Sequence, residues 1–284
     1  MANGEALLSP ISLSAAADGT PIANYRWSPG SAETVPRRGI YLLHGLSEYA
    51  GRYGHVAAWL AARGWEVAAH DHRGHGRSGG PRATIPRRNQ LVLDAEERIA
   101  AFAAELQSAP IVLGHSMGGL IATLVAFRQQ VEMAGLVLCS PAFRVELPRH
   151  MRCALKVLSV VAPNWRKHHD NYQPILTHDP VVTRQYLADP LVNRVITPRL
   201  AAFICESGPR AVALAPRLHC PTLLLVSGDD RVVSPEGSRA FAASAPKGLL
   251  TLRWYDDAWH ELLNEAPAHA GPVFADLDAW LGQV

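Results

Sequence analysis

Five residues near the middle of the chain, Gly114-His115-Ser116-Met117-Gly118, lie between the apolar run Ile111-Val112-Leu113 and the helix-like Gly119-Leu120-Ile121-Ala122-Thr123-Leu124. A serine on a sharp turn between a strand and a helix is the arrangement that exposes a hydroxyl nucleophile. Gly114 and Gly118 remove side chains that would collide where the chain doubles back. The five-residue pattern alone is weak, since ordinary glycine and serine usage produces it in roughly one chain in ten of this length. The flanking strand and helix make it specific. Serine becomes nucleophilic when a base takes its proton and a carboxylate orients that base, and in sites of this build the order along the chain is serine, acid, histidine. The strand Thr222-Leu223-Leu224-Leu225-Val226 ends in Ser227-Gly228-Asp229-Asp230, and the next strand ends in Trp254-Tyr255-Asp256-Asp257-Ala258-Trp259-His260-Glu261. Of 13 histidines, His260 alone stands beyond the last strand where the order expects the base. His269 falls in the final helix, and most others read as surface or satisfied loop residues. Spacing leaves Asp229, Asp230, Asp256 and Asp257 as candidate acids, the spare ones serving as turn formers or helix caps. A tetrahedral intermediate needs N–H donors for its oxygen. Met117 offers one, and Leu46, in the loop His44-Gly45-Leu46-Ser47-Glu48, offers the second.

These residues need a scaffold. The 284 residues, 48% of them apolar, can form one large core or two small ones, and a net charge of +2 with interspersed signs gives no broad basic face for nucleic acid. The four cysteines, Cys139, Cys153, Cys205 and Cys220, lack metal or redox spacing and read as reduced, mostly buried thiols. The N-terminal residues carry no signal-peptide pattern and no apolar run reaches the ~20 residues of a spanning helix, so a cytoplasmic protein is expected, peripheral at membranes where its surface touches lipid. A hairpin over Pro10–Ala15 and Pro21–Trp27 turns at Asp18-Gly19. Short apolar strands then alternate with helices: strands at Gly39–Leu43, Trp65–Ala69, Ile111–Leu113, Ala134–Cys139, Pro221–Val226 and Leu249–Tyr255, and helices near Tyr53–Arg63, Gln90–Leu106, Met117–Gln130, Pro235–Ala245 and Ala268–Leu281. That pattern predicts an α/β fold with a mostly parallel sheet covered on both faces. From Pro141 to Pro216 prolines and helical patches replace strands, which predicts core segments 1–140 and 217–284 with a helical insertion over 141–216 between them.

Together, His44-Gly45-Leu46-Ser47-Glu48-Tyr49-Ala50-Gly51-Arg52-Tyr53, Asp71-His72-Arg73-Gly74-His75-Gly76-Arg77-Ser78, Gly114-His115-Ser116-Met117-Gly118-Gly119 and His260-Glu261-Leu262-Leu263-Asn264-Glu265 resemble the monoacylglycerol lipase and lysophospholipase-like family of α/β-hydrolases. The resemblance runs from about residue 10 to the end. It implies a Ser116, Asp230, His260 triad, Leu46 and Met117 as oxyanion donors, no cofactor, and a small acyl ester as substrate. It also implies that the insertion is a cap over an acyl pocket, with Asp189-Pro190-Leu191-Val192 similar to the family's cap motif. The cap between Phe143 and Tyr172 departs from the family, which leaves chain-length and head-group preference open.

Other chemistries fit less well. His70-Asp71-His72 with His75 could pass for metal ligands, but the order does not suit a zinc hydrolase, and Arg73, Gly74 and Gly76 read as an exposed turn, so no metal is expected. A non-catalytic binding module usually lacks the serine or the histidine, and both are present here. Dehalogenases and epoxide hydrolases of this fold carry aspartate in place of Ser116, whereas thioesterase, aminopeptidase, C–C hydrolase and acyltransferase chemistry would use the same triad. Between Pro148 and Ala162 a helix is predicted with Leu147, Met151, Leu155, Leu158 and Ala162 on one side and Arg149, Arg152 and Lys156 on the other, only Val160 straying to the basic side. The stripe can roof the pocket while the cations face water, or it can dock transiently at a lipid interface.

Overall fold

The computed structural model describes residues 7–8, 11–30, 37–168 and 175–284. Pro10, expected to begin the first hairpin, and Tyr172 lie outside the described residues. The strands are β1 (Leu7–Leu8), β2 (Ser12–Ala15), β3 (Pro21–Ser28), β4 (Gly39–Leu43), β5 (Glu66–His70), β6 (Ile111–His115), β7 (Gly135–Cys139), β8 (Lys167–His168), β9 (Val195–Ile196), β10 (Thr222–Ser227) and β11 (Leu250–Tyr255). The helices are α1 (Gly54–Ala61), α2 (Gln90–Leu106), α3 (Met117–Arg128), α4 (Arg149–Val161), α5 (Pro180–Ala188), α6 (Pro198–Ala213), α7 (Pro235–Ser244) and α8 (Pro267–Leu281). The main sheet runs β1-β3-β5-β4-β6-β7-β10-β11, with β2 also on β3. Pairing is antiparallel through β5 and parallel from there on. The β2–β3 hairpin turns where expected, with Gly19 at φ 81° and Asp18 Oδ1 accepting the Thr20 N–H.

The parallel strands inside the edge strand β11 are apolar on both faces because helices cover both. Tyr41, Leu43, Val112, Leu136, Leu138, Leu224 and Val226 enter one core with α2 and α3 residues such as Leu91, Ile99 and Leu120. The alternate residues Ile40, Leu42, Ile111, Leu113, Val137, Leu223 and Leu225 enter the other, with Val56 and Leu60 of α1 and Val273 and Leu277 of α8. This period of two is what a strand buried on both sides demands, and each fully buried Leu or Ile contributes about 1.5–3 kcal/mol before entropy is counted.

The topology also makes a crevice. From β4 the chain passes through α1 to β5 on one side, while β6, on the other side of β4, leads through α3 to β7. Loops leaving β4 and β6 diverge, and such switch points are where parallel sheets hold ligands.

β7 and β10 are neighbours in the sheet, and residues 141–216 intervene between them. Among its described residues this segment supplies α4, α5 and α6 and no strand of the main sheet. It does contain a pair the sequence did not signal, β8 with β9, joining Lys167 to Ile196 and His168 to Val195. Two-residue strands are too short to leave a periodic signal. Among the described residues no helix is long and apolar enough to cross a membrane.

Candidate active site

Ser116 ends β6 and precedes α3 with φ 52° and ψ −117°, a backbone region that costs a non-glycine residue about 1–3 kcal/mol. Its neighbours hold it there. The Ser116 N–H donates to the Cys139 carbonyl, and the Ser116 carbonyl accepts from Leu120 and Ala142. A Cβ on Gly118 would collide with the Leu43 carbonyl oxygen, and one on Gly114 with that of Gly118. Both glycines are therefore steric requirements of the turn.

His260, buried, donates from Nδ1 to Asp230 Oδ2 at 2.7 Å and presents Nε2 to Ser116 Oγ at 2.9 Å. Asp230 Oδ1 accepts the N–H groups of Val232 at 2.8 Å and Val233 at 3.0 Å, which fixes the carboxylate in the turn after β10. The other candidate acids stand apart. Asp229 is exposed and pairs with Arg231 and the Trp259 indole, and Asp256 and Asp257 are exposed in the turn after β11. Burial alone would lower the His260 pKa, but the Asp230 carboxylate, helped by Glu261 and Glu48, outweighs it, so the imidazole titrates above its ordinary value.

Met117 is the first residue of α3, where an N–H has no acceptor within the helix. Leu46 lies across the crevice in the loop after β4, and both line the cavity beside Ser116. A network unforeseen from the sequence shapes that loop. Glu48 accepts the Gly45 N–H at 2.6 Å, the Tyr53 hydroxyl at 2.8 Å and Arg52 at 2.6 Å, and Arg52 grips Glu261 through two bonds of 2.7 and 2.8 Å. Desolvation pushes the Glu48 carboxyl up; desolvation would lower Arg52, but Glu261 and Glu48 hold it firmly charged. Glu48 and Arg52 stand in a quoted motif, yet nothing in their spacing reveals a partner more than 200 positions away.

The cavity measures about 390 Å³ and is walled largely by apolar side chains, among them Leu147, Met151, Leu155 and Leu158 of the insertion with Ile204 and Val232. The apolar stripe of α4 thus faces the cavity. The insertion's Asp189 accepts the Tyr49 hydroxyl at 2.6 Å and the Leu191 N–H at 2.8 Å, tying the Asp189–Val192 stretch to the loop after β4.

Two expectations need correction. The segment around Arg73, Gly74 and Gly76 is buried, because Arg73 is paired with Asp94 and Asp18, and Asp71 accepts from Tyr25, Ala50 and Arg77. Five histidines besides His260 (His44, His70, His72, His75 and His115) are buried too. His44 accepts the His72 N–H, its ring lies 4.2 Å from that of His72, and burial depresses the pKa of both. Of the cysteines, Cys139 and Cys220 are buried, Cys205 is half-buried and Cys153 is exposed on α4.

Residues 34–267 match the family of the serine aminopeptidase S33 hydrolases. The chain is 34% identical over 260 residues to a monoacylglycerol lipase of Mycolicibacterium smegmatis, covering 90% of both chains. It is 30% identical to the human monoglyceride lipase, covering 94% of this chain and 88% of that one. The crystal structure of a Paleococcus ferrophilus monoacylglycerol lipase superposes with a TM-score of 0.82 at 28% identity, covering 93% of this chain and 99% of that one. A Saccharomyces cerevisiae monoglyceride lipase variant bound to a substrate analog shares the fold, with a TM-score of 0.86 at 20% identity over 98% and 96% of the two chains. A family match across most of the sequence, joined by relatives at 30% identity or more over nine-tenths of it, makes this chain a member of the S33 family of α/β-hydrolases, in its monoacylglycerol lipase-like group.

Proposed function

We propose that this protein is a serine lipase that hydrolyses carboxylic esters of monoacylglycerol or lysophospholipid type by a ping-pong route. The observation that carries the reading is the continuous hydrogen-bonded chain from Ser116 through His260 to Asp230 at the floor of an apolar cavity. His260 takes the Ser116 proton as Oγ attacks the ester carbonyl, and the N–H groups of Leu46 and Met117 receive the oxyanion. The alcohol departs with the proton from His260. Water, deprotonated by the same imidazole, then releases the fatty acid from the acyl-enzyme. Core segments 1–140 and 217–284 carry this machinery, and 141–216 acts as the cap over the acyl chain.

An aminopeptidase would need a carboxylate free to hold the substrate's ammonium group. Glu48 and Glu261, the acids lining the cavity, are both engaged by Arg52, which favours a neutral ester. The test is a panel of monoacylglycerols, lysophospholipids, acyl-CoA, aminoacyl amides and nitrophenyl esters of graded length, run on parent protein and Ser116→Ala. The reading predicts turnover of monoacylglycerols or lysophospholipids by the parent alone; a strong preference for amides or thioesters would overturn it.

The cap also meets lipid, by a face other than its pocket stripe. Val157, Val160 and Val161 are exposed by 59, 73 and 70%, beside the exposed cations Arg152, Lys156 and Arg166. Apolar side chains flanked by cations suit shallow insertion into an anionic interface, each cation adding up to about 1 kcal/mol.

A further inference from the structure

The loop that carries His260 is braced from both sides. The Trp259 carbonyl accepts from Ser227 Oγ at 2.6 Å, and the Glu261 N–H donates to the Leu176 carbonyl at 2.9 Å. The remaining brace is Glu265, whose side chain is fully buried. One oxygen accepts the Trp259 N–H at 2.9 Å and faces His178 Nδ1 at 2.9 Å; the other accepts the N–H groups of His178 at 2.8 Å and Ala266 at 3.0 Å and lies 3.0 Å from the Thr177 hydroxyl. Burial by itself would raise this carboxyl, but the Trp259 and His178 donors outweigh it and keep it below its ordinary value, hence ionised. The His178 ring is stacked against Trp259 at 3.8 Å and against His269 at 4.5 Å. Leu176, Thr177 and His178 belong to the insertion, on the chain leading into α5.

We propose that Glu265 is a positioning residue for His260, clipping the insertion's segment Leu176–His178 to the base-bearing loop so that the insertion and the base are placed together. The inference rests on His260 being the base. A carboxylate that accepts from both sides cannot release one without weakening its hold on the other, so displacement of the insertion loosens the residue next to the imidazole. A shift of that ring by a fraction of an ångström breaks its alignment with Ser116 and Asp230, and misplacement of about 1 Å can cost on the order of 100-fold in rate.

The experiment compares Glu265→Gln, His178→Ala and their combination in the full chain. It measures kcat and KM on a short, soluble nitrophenyl ester, normalised to the fraction of Ser116 that a fluorophosphonate finally labels, with thermal unfolding in parallel. Glu265→Gln keeps the side chain's length but turns an amide N–H₂ toward donors. The expected result is a 10- to 100-fold fall in kcat per labelled site with KM within threefold of the parent, a two- to fivefold fall for His178→Ala, and little further loss in the double variant. A purely structural role would lower the melting temperature and the labelled fraction while leaving kcat per labelled site at the parental value, and that result would overturn the proposal. If Glu265→Gln does not fold, His178→Ala and Thr177→Val carry the test, and parental kcat in both refutes it. Failure of the underlying reading looks different: His260→Ala would then retain esterase activity, whereas an inactive His260→Ala beside a fully active Glu265→Gln sinks the positioning role alone.

Discussion

Helices α3 and α4 both border the cavity, and they are built on opposite principles. Along α3, ten of the twelve residues from Met117 to Arg128 are buried, wedged between sheet and neighbouring helices. Along α4, Ser159 alone is buried among the residues from Arg149 to Val161. The first helix begins just after Ser116, the proposed nucleophile, and carries Met117, a proposed oxyanion donor, whose positions must not drift by a fraction of an ångström. The second lines the cavity with Met151, Leu155 and Leu158 and turns Val157, Val160 and Val161 outward, where packing constrains it little. Rigidity is concentrated where bonds are made and broken, and looseness where a substrate must enter.

The sharpest way to break this contrast is at the chemistry. Ser116→Ala and Asp230→Asn should each lower kcat by roughly 10⁴-fold with much smaller changes in KM, because the loss falls on the transition state. Asp229→Asn should stay within about threefold of the parent, since Asp229 is exposed and bonded to Arg231 and Trp259. Steady-state kinetics on folded variants decides; more than a tenth of parental activity in Ser116→Ala, or a reversed ranking of the two aspartates, would refute the assignment.

Stability should divide the helices in the same way. Gly118→Ala drives a methyl into the Leu43 carbonyl and should cost about 3 kcal/mol or more, while Val160→Ala on α4 should change stability by no more than about 0.5 kcal/mol. Denaturant melts of the two proteins measure the difference, and equal costs would erase the distinction.

Proton linkage offers a third probe. The proposed mechanism needs neutral His260, whose pKa is raised above its ordinary value, so kcat/KM should fall on the acid side of a midpoint above about 6.5. Glu261→Gln removes a carboxylate that favours the imidazolium and should move the midpoint to lower pH. For stability the signs differ. The raised pKa of His260 contributes stability below its unfolded value, lost as pH rises through the folded one. His44, His70, His72 and His115 have depressed values, so their contribution is complete above about 6.5 and is lost as pH falls. These four imidazoles oppose His260 and the raised carboxyls of Glu48 and Asp71, and with the larger number on the losing side the melting temperature should drop by several degrees, roughly 2–4 °C per kcal/mol, between pH 7 and pH 5. A flat profile would contradict the burial of these rings.

The smallest effect concerns the outer face of the cap. Replacing Val157, Val160 and Val161 with serine, or Arg149, Arg152 and Lys156 with glutamate, should weaken sedimentation with anionic vesicles several-fold and slow turnover of long-chain monoacylglycerol held in them, leaving short soluble esters nearly unchanged. Equal loss on both substrates, or no vesicle binding by the parent at low salt, would reduce α4 to a roof.

Much of this architecture was legible in the residues themselves. The strands β4, β5, β6, β7 and β10, buried on both faces, appear as largely apolar runs, and the turn at Ser116 announces itself through two glycines that no other residue could replace. The order serine, acid, histidine located His260, and family resemblance chose Asp230 where spacing left four aspartates open. The sequence alone determined the strands and the turn because each depends on local sterics or on a periodicity that neighbouring residues share. The three-dimensional fold had to decide the rest. Arg52 finds Glu48 four residues away but Glu261 only across the fold, and Glu265 joins Trp259 to His178 in the same manner. That His44, His70, His72 and His75 are buried was open too, because it depends on rings from β5 and the loops after β4 and β5 meeting across the fold. The direction of α4 was open as well: an amphipathic pattern states that a helix has two faces, but only the sheet and α6 beneath it determine which face meets the cavity and which meets solvent.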